Sequence, residues 1–284
     1  FRGADSSCFE RFAADFPSAR TARLSRNYRS SGTIVTAAAR LVGGAPEGAV
    51  RPMLDPIALH AAADERGEAD FVVATIEELM GGHDMLAAGN GKAAGKGLGF
   101  ADFAVLYRTD AQSTVLREAF DRAGIPFAKS SPAPILGHSG VDAVLAALPE
   151  TEGVDLAARI AAAAACAEGV DAPALAEARN WLTTLAASPA VAGDAALLAE
   201  QAALSTEADF FDPRADRVSL LTMHAAKGLE FRVVFVVGLE DGLTPFFWDG
   251  AGDSGDAEER RLFYVAVTRA KDRLLLSRAA ERFW

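Results

Sequence analysis

Residues 217–239 read RVSLLTMHAAKGLEFRVVFVVGL, and this stretch decides the fold. Two runs rich in valine and leucine, 218–222 and 233–237, flank a polar loop. Continuous apolar runs are typical of parallel strands that are buried on both faces. Ligands of such sheets bind in loops at the carboxyl ends of the strands. The sequence therefore predicts an α/β fold with a ligand site in this loop. The polar loop residues are Thr222, His224, Lys227 and Glu230.

A second informative segment, residues 258–272, reads EERRLFYVAVTRAKD. The spacing of Leu262, Val265 and Arg269 predicts a helix with these side chains near one face. Two glutamates stand at its amino end, where the helix dipole favours negative charge. Arg269 would project from the last turn, and a guanidinium held there can reach a phosphate on a neighbouring surface. A solvent-facing helix with surface salt bridges is the alternative interpretation.

A third segment, residues 24–32, reads LSRNYRSSG and precedes an alanine-rich run that predicts a helix over 34–42. Tyr28 could stack on a base, and Arg29 could pair with a phosphate. The segment is equally consistent with a simple helix start, in which Ser30 or Ser31 is the N-cap. Residues 43–56, rich in proline and glycine, are interpreted as a connector.

These three segments resemble the C-terminal motor motifs of the UvrD/Rep/PcrA family of superfamily 1 DNA helicases. The resemblance covers 24–30, 222–231 and 258–270, and the residues at 1–4 and 106–113 resemble two further family motifs. It implies a RecA-like parallel sheet flanked by helices, with a short helical subdomain inserted. The implied organisation is a second RecA-like motor domain over 1–136 and 213–284, interrupted by a helical accessory subdomain over 137–212.

The resemblance also implies an ATP site between this domain and a first RecA-like domain. Tyr28 would stack on adenine, Glu230 would bond the ribose, and Arg29 and Arg269 would act as catalytic arginine fingers. The implied ATP-binding residues are Asn27, Tyr28, Arg29, Glu230 and Arg269.

A single-stranded DNA path is implied across the top of the domain. The implied DNA-binding residues are Phe1, Arg2, Arg108, Thr222 and His224. A core aromatic is the alternative for Phe1, and Lys227 is expected to support its loop. Position 110 is Asp where the family usually has Asn, so no DNA contact is carried over to it.

Composition limits the partners that the chain can have. The net charge is 28 − 39 = −11, which argues against non-specific nucleic-acid binding by a general field. Any DNA site must therefore be a local basic or aromatic groove. Cys8 and Cys166 lack metal or redox spacing, which favours a reducing, cytoplasmic compartment. No apolar run reaches membrane-spanning length, so no membrane partner is expected.

The chain lacks a phosphate-binding loop. The segment around Gly95 and Lys96 comes nearest, but that motif needs Gly at 90 and Ser or Thr at 97, where the chain has Asn90 and Gly97. We therefore expect a C-terminal portion of a longer protein, in which Mg²⁺ is held mainly by the N-terminal RecA-like domain. The predicted function is the motor portion of an ATP-dependent 3′–5′ DNA helicase, inactive on its own. The alternatives are the helicase part of a RecB/AddA-like helicase–nuclease and a non-catalytic DNA- or partner-binding module.

The remaining pattern predicts the order of elements. Strands are expected over 102–107, 217–223, 232–238 and 273–277. Helices are expected over 64–80 and 112–123, and nearly throughout 140–205. Loops are expected over 81–99 and 248–256.

Overall fold

The computed structural model describes residues 11–12, 14–20, 22, 24–44, 48–81, 97–130, 133–212, 214–246 and 252–283, with the backbone alone over 252–256. The chain divides into two compact units, which are described separately. One comprises residues 1–128 with 213–284, and the other comprises residues 129–212.

Within the described residues, six strands form one sheet. They are β1 (Ala58–Asp64), β2 (Phe103–Tyr107), β3 (Phe127–Ser130), β4 (Val218–Thr222), β5 (Phe231–Val236) and β6 (Ala270–Glu281). Their order across the sheet is β1-β6-β5-β2-β4-β3. The pairings β1–β6, β6–β5, β5–β2 and β2–β4 are all parallel. Every residue of the central strand β2 is buried, as its unbroken apolar run predicts.

The helices of the described residues are α1 (Gly32–Leu41), α2 (Glu65–Leu79), α3 (Gln112–Ala123), α4 (Ser139–Ala147), α5 (Leu156–Cys166), α6 (Ala172–Ala186), α7 (Ala195–Leu204) and α8 (Gly252–Val267). Helix α2 begins at the N-cap Asp64, whose carboxylate accepts a bond of 2.7 Å from the Gly67 amide. Helix α3 ends at Gly124, which has a φ of 66° that glycine adopts without strain. The predictions over 64–80 and 112–123 are therefore confirmed, and the α/β class with them.

The strand register defines two edges of the sheet. Phe231 pairs with Ala270 where β5 and β6 begin, and we call this end the amino edge. Tyr107 pairs with Thr222 where β2 and β4 end, and we call this end the carboxyl edge. The loop 223–230 therefore starts at the carboxyl edge and finishes at the amino edge. Of the polar residues predicted to form a ligand site at the carboxyl ends of the strands, Glu230 instead lies at the amino edge, because it directly precedes β5.

The second unit consists mainly of helices α4 to α7 around a core of its own. Three of these helices begin at an aspartate whose carboxylate accepts a bond from a backbone amide inside the first turn; the N-caps are Asp155, Asp171 and Asp194. Helices α4 and α6 approach closely at Gly140, where a Cβ atom would lie 2.3 Å from the Ala174 carbonyl oxygen. Glycine is therefore required at this crossing.

Several boundaries differ from the predictions. Strands β1 and β3 were not predicted, because β1 is rich in alanine and β3 has only four residues, so both give a weak pattern. Helix α8 begins at Gly252, inside the predicted loop 248–256, while residues 248–251 lie outside the described part. Helix α8 ends at Val267 and β6 begins at Ala270, so Arg269 lies in the turn between them and not on a helix. The predicted loop residues 82–96 lie outside the described residues.

Candidate nucleotide and DNA sites at opposite edges of the sheet

Three distant segments meet at the amino edge. The Ser30 hydroxyl donates to the Ala270 carbonyl at 2.6 Å, and the Ser31 amide donates to the Lys271 carbonyl at 2.8 Å. The Phe231 amide donates to the Arg269 carbonyl at 3.0 Å. These bonds join the 27–31 segment, the start of β5 and the start of β6. They bring together the side chains of Arg29, Glu230, Arg269 and Lys271, which we call the amino-edge cluster.

Asn27 shapes the backbone that carries Tyr28 and Arg29. Its side-chain oxygen accepts bonds of 3.0 Å from the amides of Arg29 and Ser30, which is an Asx turn. Tyr28 is 65% exposed on this turn, as a stacking platform requires. Ser31 occupies the N-cap position of α1, but its side chain makes no capping bond. The serines thus help to join segments, beyond the helix start that the alternative interpretation proposed.

Glu230 is the only carboxylate of the amino-edge cluster. Its Oε2 atom lies 2.6 Å from Arg29 Nε, and its Oε1 atom lies 2.8 Å from Lys271 Nζ. The hydrogen bond from Lys271 is the largest influence on its pKa; that bond and the bond from Arg29 outweigh partial burial and hold the pKa below the ordinary 4.5. Glu230 therefore stays ionised and engaged with two cations in the structure.

Arg269 is held by acceptors on both sides of its turn. It donates to the carbonyls of Val265 and Leu229 at 2.9 and 3.0 Å, and to the Thr268 hydroxyl at 3.1 Å. Burial, followed by the nearby charge of Arg29, holds the pKa of Arg269 below its ordinary value. The proximity of two guanidinium groups is unfavourable unless an anion lies between or beside them.

The amino-edge cluster carries an excess of positive charge. It has three cations and one carboxylate, a local balance of 3 − 1 = +2 in a chain whose net charge is −11. Arginine forks match the geometry of phosphate oxygens, and a lysine adds a point charge. This arrangement can therefore bind a phosphate group, and the exposed Tyr28 ring beside it can stack on a base.

Sequence reasoning missed one member of this cluster, Lys271, and the polar residues that support it. Lys271, Arg51, Asp272 and Arg232 were not predicted as functional, although Lys271 and Asp272 directly follow a matched motif. Arg51 was assigned to a connector. Position next to a motif is the one signal that could have found Lys271. The contacts of Arg51 with Arg29, Lys271 and Asp272 span 22, 220 and 221 residues of sequence and leave no local pattern.

At the carboxyl edge, Arg108 forms an ion pair with Glu259 of α8. Arg108 Nε lies 3.1 Å from both Glu259 carboxylate oxygens, and Nη2 lies 2.9 Å from Oε1. The Phe246 amide donates to the same carboxylate at 3.0 Å, and the Arg108 guanidinium lies 5.1 Å from the centre of the Phe246 ring. The side chain predicted to contact DNA is thus engaged within the domain. We call this contact the carboxyl-edge pair.

Thr222 and His224 follow β4 at the same edge. The Thr222 hydroxyl accepts a bond of 3.1 Å from the Ala225 amide and so organises the turn that carries His224. Gly228, with a φ of 92°, allows the chain to turn back toward β5. The strand pairing of Tyr107 with Thr222 places these residues next to Arg108 along the edge. Phe1 and Arg2 lie outside the described residues.

The structure thus separates the predicted site residues into two groups. All the predicted ATP residues lie at the amino edge, and the described DNA residues lie at the carboxyl edge. The edges are about 20 Å apart, since β5 has six residues and a parallel strand rises about 3.3 Å per residue.

Two further features of the described residues concern metal ions and membranes. Over the described ranges, His, Cys, Asp and Glu side chains form no group of three or more that could hold a metal ion. In the same part of the chain, no helix combines the length and the apolar character needed to cross a membrane.

Comparison with known proteins gives a consistent set of relatives. The family model described as the UvrD-like helicase C-terminal domain matches residues 22–148 and 185–281. The ATP-dependent DNA helicase UvrD2 of Mycobacterium tuberculosis H37Rv is 30% identical over 310 residues, covering 99% of this chain and 42% of that protein. The ATP-dependent DNA helicase PcrA of Staphylococcus aureus MRSA252 is 27% identical over 376 residues, covering 99% of this chain and 50% of that protein.

A shorter match is closer in sequence. The ATP-dependent DNA helicase UvrD1 of Mycobacterium leprae is 57% identical over 65 residues, covering 23% of this chain and 8% of that protein. The chain spans about half the length of the full-coverage relatives. The resemblance inferred from the motifs is therefore confirmed, and the chain belongs to the UvrD-like helicase C-terminal domain family.

Proposed function

We propose that this chain is the second motor domain of an ATP-dependent 3′–5′ DNA helicase. In this proposal a first RecA-like domain supplies the phosphate-binding loop and the Mg²⁺ ligands. The present chain supplies Arg29 and Arg269 to the γ-phosphate and binds single-stranded DNA at its carboxyl edge. The observation that carries the proposal is the amino-edge cluster, in which Arg29 and Lys271 both contact Glu230 and Arg269 lies within reach of the charges of Arg29 and Glu230.

The proposed nucleotide roles follow from what each side chain presents. Arg29 and Arg269 provide donors that complement the charge developing on a transferring phosphoryl group. Tyr28 presents an exposed ring for adenine. Glu230 would bond the ribose, which requires it to leave or share its bonds with Arg29 and Lys271. Asn27 would act mainly through the turn that it closes.

The proposed DNA site uses Arg108, Thr222 and His224. Thr222 and His224 lie in a polar turn at the end of β4. Arg108 is already paired with Glu259, so a DNA phosphate would have to share its guanidinium with that carboxylate. The binding is expected to be weak and salt-sensitive, because phosphate neutralisation releases counterions and the chain has no general positive field.

The test compares variants at the two edges in the complete helicase. Arg29→Ala should lower DNA-stimulated ATP turnover with little change in single-stranded DNA affinity. His224→Ala should weaken single-stranded DNA binding, and the distant surface change Arg122→Ala is the control. If the chain were a non-catalytic binding module, Arg29→Ala would reduce neither ATP turnover nor single-stranded DNA binding. Loss of DNA binding in Arg122→Ala, with none in His224→Ala, would contradict the proposed DNA site.

A further inference from the structure

The guanidinium of Arg51 contacts both segments that carry the candidate fingers. Its Nη1 atom donates to the Arg29 carbonyl at 2.7 Å and to the Lys271 carbonyl at 3.1 Å. Its Nη2 atom donates to the Asp272 carboxylate at 2.5 Å. One side chain therefore spans the backbone of the first finger and the backbone two residues after the second.

Arg51 is itself held in place from two directions. Asp272 accepts a second bond of 2.8 Å from Arg232. Burial alone would raise the pKa of Asp272, but the bonds from Arg232 and Arg51 hold it below its ordinary value. The planar fork of an arginine can meet a carboxylate and two carbonyls at once, whereas a lysine offers a single ammonium.

The segment around Arg51 is also fixed along its backbone. The Asn27 amide donates to the Gly48 carbonyl and the Val50 amide donates to the Asn27 carbonyl, both at 2.9 Å. Gly48 has a φ of 43°, and a Cβ atom there would lie 2.1 Å from the Ser25 carbonyl oxygen. The segment 48–52 thus lies against the finger-bearing turn with little freedom, and this close approach requires glycine at 48.

We propose that Arg51 is a positioning residue that sets the spacing between Arg29 and Arg269, and this rests on the proposed function of both as fingers. Arg51 does not touch the nucleotide in this account. It acts by fixing two backbone carbonyls, and through them the origins of the two finger side chains. Misplacing a reacting or stabilising group by about 1 Å can cost on the order of 10² in rate.

The experiment measures DNA-stimulated ATP turnover by the complete helicase carrying Arg51→Gln, with melting temperature measured in parallel. We expect kcat to fall about 10- to 100-fold, while the KM for ATP changes less than about threefold. Arg51→Lys keeps the charge beside Asp272 and should recover only part of the rate. Arg273→Gln is the matched control, because Arg273 is likewise an ion-paired arginine. It lies on β6 and pairs with Asp55 at 2.6 Å.

A second measurement separates positioning from folding. In the background Arg29→Ala/Arg269→Ala, assayed at high enzyme concentration, Arg51→Gln should slow turnover no further. An additional loss there, or a rise in KM in place of a fall in kcat, would overturn the positioning role. Normal turnover in Arg51→Gln would overturn the positioning role; if that variant is unfolded, normal turnover in Arg51→Lys would do so. The proposed function would remain intact in either case, provided that turnover in Arg269→Ala is slow. Normal turnover in Arg29→Ala and Arg269→Ala would reject both.

Discussion

Two arginine–glutamate pairs lie at opposite edges of the same sheet, and they differ in exposure. At the amino edge, the side chains of Arg29 and Glu230 are 38% and 42% exposed. At the carboxyl edge, those of Arg108 and Glu259 are 20% and 10% exposed. In the first pair, Glu230 also contacts Lys271. In the second pair, the Phe246 amide donates to Glu259, and the Phe246 ring lies against the Arg108 guanidinium.

This difference in exposure distinguishes an ion pair that a ligand can replace from one that stabilises the fold. An exposed ion pair contributes about 0–1 kcal/mol, so a ligand can replace it at little cost. Removing one partner of a buried pair costs about 3–5 kcal/mol, because the remaining charge is left without compensation. We therefore infer that the Arg29–Glu230 contact opens to admit a nucleotide, whereas the carboxyl-edge pair stays closed and shapes the edge on which DNA would lie.

The largest expected effect is on the amino edge, from Arg269→Ala in the complete helicase. Arginine fingers of related chemistry are worth roughly 10³–10⁵ in rate. Because the proposed function assigns this role to two arginines, we expect kcat to fall on the order of 10²–10⁴, with smaller changes in nucleotide affinity. Arg269→Lys should restore little. The measurement is DNA-stimulated ATP turnover, with melting and DNA affinity determined for the same samples.

A purely structural Arg269 would behave differently. Its three hydrogen bonds within the domain would be lost, so the melting temperature would fall while turnover per folded molecule stayed near normal. Turnover within about threefold of the unmodified protein, at saturating ATP and DNA, would reject the finger assignment.

The next effect tests the carboxyl edge through Arg108→Ala. We expect a loss of about 2–4 kcal/mol in the free energy of unfolding, slightly below the value for fully buried pairs. Urea titration measures the loss, and Glu259→Gln in the same chain should recover part of it. Arg122→Ala is the control, since Arg122 pairs with Asp70 on the surface and should cost under about 1 kcal/mol. Equal losses from the two arginine variants would remove the contrast between the edges.

A smaller effect is expected from Glu230→Gln. The amide keeps the shape of the side chain but removes the charge that engages Arg29 and Lys271. Stability should change by less than about 1 kcal/mol. The KM for ATP should rise about three- to tenfold, corresponding to a weakened hydrogen bond to the ribose. A loss of stability comparable to that of Arg108→Ala would show that the amino-edge contact is structural as well.

The smallest effect concerns protonation of Glu230. Its folded-state pKa is lowered, so the stability it contributes is present above the ordinary value of 4.5 and is lost as the pH falls through the folded value. Carboxyl-carbon NMR titration should therefore give a pKa below 4.5. Lys271→Gln should raise that pKa, because it removes the strongest lowering bond. An unchanged pKa in this variant would show that Arg29 alone is responsible.

Local pattern was sufficient for the central elements. The apolar runs at β2, β4 and β5 predicted buried parallel strands, because a strand covered on both faces needs apolar residues at every position. The residue pattern of α2 and α3 predicted both helices within about two residues at each end. The motifs indicated the family, which the comparison with known relatives confirmed.

Other features depended on contacts that local pattern does not contain. Strands β1 and β3 lie on the outside of the sheet, where weak apolar character is sufficient. Arg269 was predicted to lie on the last turn of α8, because the residues after Val267 suit a helix. In the structure, the residues from Ala270 onward instead form β6, which pairs with β5 and β1.

The sequence alone therefore determined the α/β class, the family and the identity of the nucleotide-binding candidates, because these depend on residue types at short, regular spacing. Tertiary structure decided that Thr222 and Glu230 lie at opposite edges, because only strand register fixes the direction of the loop between them. It also decided that Arg108 pairs with Glu259 across 151 residues, and that Arg51 contacts the carbonyls of both Arg29 and Lys271. Such pairings depend on how the chain folds back on itself, and no local spacing encodes them.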